Sequence, residues 1–363
     1  MVASNVKAFE IKVPATSANI GPGYDVMGLS LSLFLLIKAT VDPSAEQTHP
    51  TNIAISYDDI NSSGVSLDPT KNLITKTALY VLSCNGLKGL PSPTHLHISN
   101  NIPLGRGLGS SGAAVVAGVV LANVLAGLGL SVQRQLDYCL MIEHHPDNVA
   151  AALVGGFVAS YLTDVDRPLS IPASESGKPQ EKSAGDADSV QQPPVGIGHY
   201  LKLGCSKKIK AVALIPHFEL ATSKARGVLP PSYTTKDVVF NLQRLAVLTT
   251  ALGQETPDPW LIYHAMEDKI HQPYRQNLVP GLPEILESMD PSNTPGLLGI
   301  CLSGAGPTIL ALASDNFDAI GNRMKELVEK QKEGLTASFK VLDIIQDGVQ
   351  CKSIDSVSLN SSL

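Results

Sequence analysis

Apolar residues along this chain fall in short blocks whose period changes from two to nearly four and back, separated by Gly, Pro and small polar residues. Residues 6–13 and 29–41 predict two strands enclosing a Gly/Pro turn. After Asp68-Pro69 the spacing becomes helical over 72–84, a strand is predicted at 96–98, and helices follow over 110–128 and 133–144. Later in the chain the pattern predicts strands at 211–216, 297–302 and 338–344, with another just after Thr308. Helices are predicted at 235–252, 260–270, 282–288 and 317–331. Strands and helices mix without a repeated βαβ period or internal repeat, so the pattern predicts an α+β fold rather than a doubly wound sheet.

Periodicity stops over 164–197, where Pro, Ser, Gly, Glu, Lys and Gln dominate, and the composition predicts a disordered surface insertion. A chain of 363 residues exceeds what one compact core usually holds. The expected organisation is therefore a first domain over 1–163, the insertion over 164–197 and a second domain over 198–363.

Composition narrows the class of ligand. With 44% hydrophobic and 17% charged residues the chain has ample core, and a net charge of -6 argues against a nucleic-acid or polybasic membrane partner. Small ligands are expected instead. The five cysteines are odd in number, scattered and free of any C-x-x-C pair, which suits buried thiols in a reducing compartment and no zinc cage. Residues 112–130 reach the ~18 residues of a membrane span. Four glycines dilute that run and its start is fused to a glycine loop, so a buried helix is expected and no membrane partner. The first twelve residues lack the apolar block of a secretory signal, and the expected location is cytoplasmic.

The chemistry lies in loops. The run Asn101-Ile102-Pro103-Leu104-Gly105-Arg106-Gly107-Leu108-Gly109-Ser110-Ser111-Gly112-Ala113 joins a predicted strand to an Ala/Gly-rich helix almost without side chains. Glycines let a backbone approach a ligand and take positive φ, and the following helix start offers unpaired N–H groups to an anion. A Walker A loop is excluded, because no Gly-Lys-Ser/Thr occurs in the chain. Gly107, Gly109 and Gly112 match the dinucleotide pattern G-x-G-x-x-G, but 133–144 reads as a helix where that fold needs a strand ending in an acid. A ligand-free glycine turn also stays open.

Three polar constellations accompany the loop. Pro14-Ala15-Thr16-Ser17-Ala18-Asn19-Ile20-Gly21-Pro22-Gly23-Tyr24-Asp25 gathers hydroxyls, a carboxamide and a carboxylate in what could be an ordinary turn. In Glu143-His144-His145-Pro146-Asp147-Asn148 the adjacent histidines diverge, which disfavours a two-His metal site. Glu143 could instead hold Mg²⁺, which needs few protein ligands when phosphates supply the rest. Thr222-Ser223-Lys224-Ala225-Arg226, with Arg275 further on, supplies arginines that elsewhere are often surface ion-pair partners.

Together these segments, spanning nearly the whole chain, resemble the homoserine kinases, a branch of the superfamily of galactokinase, homoserine, mevalonate and phosphomevalonate kinases. Residues 13–25 are similar to that branch's first motif, 103–114 to the superfamily phosphate loop P-x-x-x-G-L-G-S-S-[AG]-A, His145-Pro146-Asp147-Asn148 to the H-x-D-N string, and Gly304-Ala305-Gly306-Pro307-Thr308 to the C-terminal glycine loop. The resemblance implies a first domain with a left-handed βαβ unit, a ferredoxin-like second domain, and ATP with Mg²⁺ and L-homoserine in the cleft between them. It implies nucleotide contacts from Asn72, Pro103, Gly105, Arg106, Gly107, Leu108, Gly109, Ser110, Ser111, Gly112 and Ala113, and metal contacts from Ser111 and Glu143. Asn19, Asp25, His145, Asn148, Thr222, Arg226 and Arg275 would surround homoserine, with Asn19, Arg226 and Thr222 taking part in catalysis. The chain departs from the mevalonate kinases in placing Thr16 where their early Lys falls, so no proton-abstracting side chain is identifiable. Catalysis would then rest on positioning and charge neutralisation.

An amino-acid alcohol carries an ammonium and a carboxylate, and its pocket wants an acid and one or two arginines. Asp25, Arg226 and Arg275 supply that set. The implied reaction is ATP-dependent phosphorylation of homoserine on the way to threonine, with room for a homodimer. A nucleotide-binding regulator without catalysis and a sibling kinase acting on a sugar or mevalonate are the competing readings.

Overall fold

Alternation of apolar residues along the first two predicted strands places one face of each against a common core. In the computed structural model, which describes residues 6–47, 49–58, 64–163, 190–331 and 333–354, β1 (Lys7–Ala18) and β2 (Met27–Val41) form a long antiparallel pair. Their register shifts between Pro14 and Ala15, next to a residue that has no N–H to give a ladder. β3 (Ile53–Tyr57), α1 (Leu73–Cys84) and β4 (Thr94–Asn100) make a parallel βαβ unit, with β4 pairing antiparallel to β2. Asn72 starts α1 by accepting the Ile74 N–H on its side chain.

α2 (Ser110–Leu125) is the apolar helix expected to be buried. Val115, Val116, Val119 and Leu121 are fully enclosed, and Gly118 lies so close to α1 that a Cβ there would strike the Ile74 carbonyl. Among the described residues no helix is long and apolar enough to cross a membrane. α3 (Val132–Glu143), α4 (Pro146–Val154), β5 (Phe157–Leu162) and β6 (Gly198–Leu203) complete this part of the chain.

The second sheet consists of β7 (Lys210–Pro216), β8 (Leu297–Leu302), β9 (Ile309–Ala313) and β10 (Ala337–Asp343). Its order, β10-β7-β9-β8 with every pair antiparallel, is that of a ferredoxin-like βαββαβ unit. Helices α5 (Thr222–Gly227), α6 (Thr235–Ala251), α7 (Pro259–Ala265), α8 (Gln272–Arg275) and α9 (Leu282–Ser288) lie between β7 and β8, α10 (Phe317–Glu329) follows β9, and β11 (Gln350–Ile354) ends the described chain. Alternation along β7 divides its side chains: Ala211, Ala213 and Ile215 join a core continuous with the first sheet, whereas Val212 and Leu214 pack with Ile285, Met324 and Val328. The two sheets thus share one core across their boundary.

Two expectations about organisation need correction. Sheet membership does not divide at 198, because β6 pairs with β5 and β11 pairs with β1, placing both in the first sheet. The expected insertion over 164–197 also ends early. Its residues 164–189 lie outside the described residues, but residues 190–197 are built into the surface. Arg134 donates to the Pro193 and Pro194 carbonyls at 2.6 and 2.8 Å, and buried Asp137 accepts the Gly196 and Ile197 amides at 2.9 and 3.0 Å. Composition missed this because the anchoring acid lies on α3, far away in sequence. The helix predicted over 260–270 stops at Ala265. Asp268 takes up the amides of Ile270, His271 and Gln272 there, so a new turn begins.

Candidate active site

The loop between β4 and α2 curls because Gly105, Gly107 and Gly109 all adopt positive φ, at 62°, 78° and 68°. Gly109 is the N-cap of α2 and supplies no side-chain cap, so the helix start faces the cleft with its amide donors open. Two other segments hold the loop in place. Ser303 Oγ donates to the Gly107 carbonyl at 2.6 Å and lies 2.7 Å from Ser17 Oγ, while the Thr16 N–H reaches the Leu108 carbonyl at 3.2 Å. The Gly304 N–H donates to the Ala18 carbonyl at 2.9 Å, and Asn19 Nδ2 donates to the Gly304 carbonyl at 3.0 Å. The N-terminal motif, the loop before α2 and the loop after β8 therefore meet as one glycine-rich floor.

Above that floor is a cleft with about 720 Å³ of open space, lined by Asn19, Asp25, Gly105, Arg106, Gly107, Gly109, Ser110, Ser111, Gly112, Glu143, His145, Asn148, Thr222, Arg226 and Arg275 among others. An apolar recess of about 680 Å³ adjoins it across Gly105, Ser110 and Ser111, with Tyr57, Leu73, Ile74 and Asn72 in its wall. Asn72 is already engaged there, donating to the Tyr57 hydroxyl and the Ser66 carbonyl, each at 2.9 Å. Three of the residues assigned to the nucleotide turn their side chains away from the cleft. Leu108 and Ala113 are 1% exposed and point into the core, and Pro103 lines a separate hollow beside His217. Arg106 reaches back to the Pro216 carbonyl at 2.9 Å.

Glu143 ends α3 directly opposite the start of α2, where Ser111 Oγ donates to its Oε2 at 3.0 Å. Burial pushes the Glu143 carboxyl above its ordinary range, with the Ser111 hydrogen bond opposing. A carboxylate and a hydroxyl beside unpaired helix amides fit Mg²⁺, a hard cation that keeps few protein ligands when phosphate oxygens complete its shell. Among the described residues no group of three or more His, Cys, Asp or Glu side chains could hold a metal, so a cation here would need oxygens from its ligand.

The opposite end of the cleft is charged. Arg226 on α5 makes a two-pronged contact with Asp25, Nη2 to Oδ1 at 2.7 Å and Nη1 to Oδ2 at 3.2 Å, and donates to the Tyr24 hydroxyl at 2.7 Å. The sequence placed Asp25 and Arg226 on opposite charges of one substrate; here they satisfy each other. Arg275 differs. It is 1% exposed and spends its hydrogen bonds on the Ala225 and Gly304 carbonyls (3.0 and 3.2 Å) and on His271 Nδ1 (3.3 Å), with no carboxylate partner among the described residues. His271 passes its other nitrogen to the Gly21 carbonyl, and burial lowers its pKa, so it is a neutral acceptor for the guanidinium. The ring of Tyr24 lies 5.1 Å from the Arg275 guanidinium and 5.5 Å from that of Arg226.

Other predicted residues take clear places. His145 is the N-cap of α4, and burial followed by the charge of Arg226 lowers its pKa. Asn148 accepts the Thr16 hydroxyl at 2.7 Å, and exposed Thr222 opens α5 at the rim. Asn19 is occupied structurally, accepting the Asp25 N–H at 2.9 Å as well as donating to Gly304. Sequence reasoning missed two lining or bordering groups, Tyr24 and Asp147. Both lie inside motifs it quoted; the available signal was an aromatic next to the proposed acid and an acid in the first turn of a helix.

The chain matches the family models for the GHMP kinases N terminal domain over residues 72–156 and the GHMP kinases C terminal over residues 255–330. It is 55% identical to the homoserine kinase of Saccharomyces cerevisiae, across 94% of this chain and 98% of that one. It is 49% identical to the homoserine kinase of Candida albicans, across 95% and 98%. Among solved structures, a homoserine kinase from Cytophaga hutchinsonii superposes with a TM-score of 0.71 at 24% identity over 95% of this chain and 97% of that one, which supports the fold. A putative homoserine kinase from Listeria monocytogenes gives 0.64 at 30% identity, over 95% and 99%.

Proposed function

Because the chain belongs to the homoserine kinases within the GHMP kinase family, we infer that it moves the γ-phosphoryl group of ATP onto the side-chain hydroxyl of L-homoserine, giving O-phospho-L-homoserine for threonine synthesis in the cytoplasm. The observation that carries this reading is the continuity of one cleft from an open helix N-terminus to a buried arginine that has no acidic partner among the described residues.

In this reading ATP lays its phosphates on the amides of Gly107, Gly109, Ser110, Ser111 and Gly112, with its base in the apolar recess beside Asn72. Leu108 and Ala113 contribute shape from beneath. Ser111 and Glu143 would hold Mg²⁺, which would supply charge neutralisation at the phosphate oxygens. The homoserine carboxylate enters beside Arg275, where a guanidinium already desolvated offers its remaining N–H groups at little further cost. Arg226 turns one edge toward the same carboxylate, and Asp25 receives the ammonium. Held at both charges, the substrate presents its hydroxyl toward Asn148, Thr222 and the phosphate loop. Rate then comes from alignment and charge neutralisation, as suits a phosphoryl transition state with little covalent demand on the protein.

The test is a coupled ADP-release assay with homoserine, mevalonate, galactose and no acceptor. Homoserine-dependent turnover is expected, with background rates for the other arms. Equal rates with and without acceptor, or preference for mevalonate or galactose, would overturn the assignment.

A further inference from the structure

Three carboxylates line the cleft, and the proposed function uses two of them. Asp25 is held by Arg226, and Glu143 accepts from Ser111. The third, Asp147, is 2% exposed, lines the same cleft and has no cationic partner within salt-bridge distance among the described residues. Its Oδ1 accepts the Asn148 N–H at 2.7 Å and, more weakly, Asn148 Nδ2 at 3.4 Å, while its Oδ2 has no hydrogen bond among the described residues. Its backbone packs closely on β2, where a Cβ on Gly28 would collide with the Asp147 carbonyl oxygen. A largely buried carboxylate that turns one oxygen without a protein partner toward a binding cleft is poorly explained by stability.

We propose that Asp147 is a second acceptor for the substrate ammonium, forming with Asp25 the acidic half of a pocket whose basic half is Arg226 and Arg275. The inference rests on the homoserine kinase reading and adds a specificity residue to it. Charge balance favours it. Two arginines and Asp25 alone would leave a positive excess, suited to a plain carboxylic acid, whereas the added carboxylate gives equal charge of each sign, matching a zwitterion. Burial first, and then the charge of Asp25, raise the Asp147 carboxyl to about 7, opposed by the Asn148 N–H and Arg226 and reinforced by Glu143. Burial first, and then the charge of Arg226, lowers the pKa of His145, two positions away. An ammonium placed between Asp25 and Asp147 removes the repulsion and favours the ionised form. Homoserine binding should therefore release protons near neutrality and tighten as pH rises from 6 to 8.

The experiment is calorimetric titration of the full chain with L-homoserine, in the presence of magnesium and a non-hydrolysable ATP analogue, in two buffers of different ionisation enthalpy at pH 7. Wild type should release roughly half a proton per site. In Asp147→Asn the release should vanish, and KM for homoserine should rise roughly 30-fold or more, with kcat and KM for ATP changing far less. An Asp147→Asn enzyme that keeps wild-type KM and kcat for homoserine would overturn the proposal. So would an Asp147→Asn enzyme that binds the ATP analogue normally, keeps its homoserine KM and loses kcat, which would place the carboxyl at the acceptor hydroxyl. A wild type that fails to phosphorylate homoserine at all would instead sink the underlying kinase reading.

Discussion

Arg226 and Asp25 face each other across the cleft through two hydrogen bonds of 2.7 and 3.2 Å, so the pocket that should recognise a zwitterion already contains one of its own. Both side chains are about one-third exposed, at 32% and 33%, which leaves them soluble enough to exchange partners. An incoming amino acid can insert its ammonium on Asp25 and its carboxylate on Arg226, replacing one ion pair by two. A ligand with only one of these charges would strand the other partner.

Removal of either side chain should therefore be costly and removal of both less than multiplicative. Arg226→Ala should lose roughly 30-fold or more in kcat/KM for homoserine, at the low end for a buried pair because solvent screens this one. The analogue with its carboxylate reduced to a hydroxymethyl group should be a poor wild-type substrate and hardly worse with Arg226→Ala. Parallel loss on both substrates would assign Arg226 some task other than carboxylate recognition.

At Gly109 two constraints coincide. Its φ is +68°, and a Cβ would collide with the Thr16 hydroxyl and lie 3.0 Å from Asn148 Oδ1. Gly109→Ala should then destabilise the fold by about 1–3 kcal/mol and also weaken ATP binding, because the helix start is displaced. Gly127 has φ +62° with nothing within 4 Å of its missing Cβ, so Gly127→Ala should show the strain alone. Melting curves and ATP titrations of the two variants separate the effects; equal ATP affinity in both would remove the loop from the nucleotide site.

Glu143→Gln keeps the shape of the Ser111 contact and removes the charge. Turnover should fall by orders of magnitude, with a modest change in ATP affinity and a higher magnesium requirement. Wild-type turnover across a magnesium titration would reduce Glu143 to a helix-end carboxylate.

Burial of Asp147 also predicts a stability effect with a definite sign. Its folded pKa of about 7 lies above the ordinary value of 3.8, so the folded state binds the extra proton between those pH values and stability falls as pH rises through that window. Asp147→Asn should stabilise the ligand-free protein at pH 8, by roughly 2–4 kcal/mol as an upper range, and leave it nearly unchanged at pH 4. Chemical denaturation at the two pH values checks this. A variant less stable at pH 8 would show that the ionised carboxylate holds the fold together.

Much was legible in the chain before any tertiary information. Local signals were enough for Asn72 to start a helix, for the apolar run after Ser110 to be buried, and for the glycine string before it to form a positive-φ loop at a helix start, since capping, periodicity and positive φ act within a few residues. The 282–288 helix and the strand entering Ser303 were equally plain. Family motifs extended this to the reaction, because loops that approach phosphates leave few residue choices. Tertiary structure decided the rest. β11 pairs with β1 more than 300 residues away, Asp137 ties down a segment whose composition reads as disordered, and Arg226 closes on Asp25 instead of standing free. The standing of Asp147 was likewise invisible, because a carboxylate becomes unusual only when distant elements exclude water around it and leave one oxygen without a partner. Sequence determined which groups the cleft contains, through short-range geometry; only folding decided their charge partners, because desolvation and Coulomb interaction depend on distance in space.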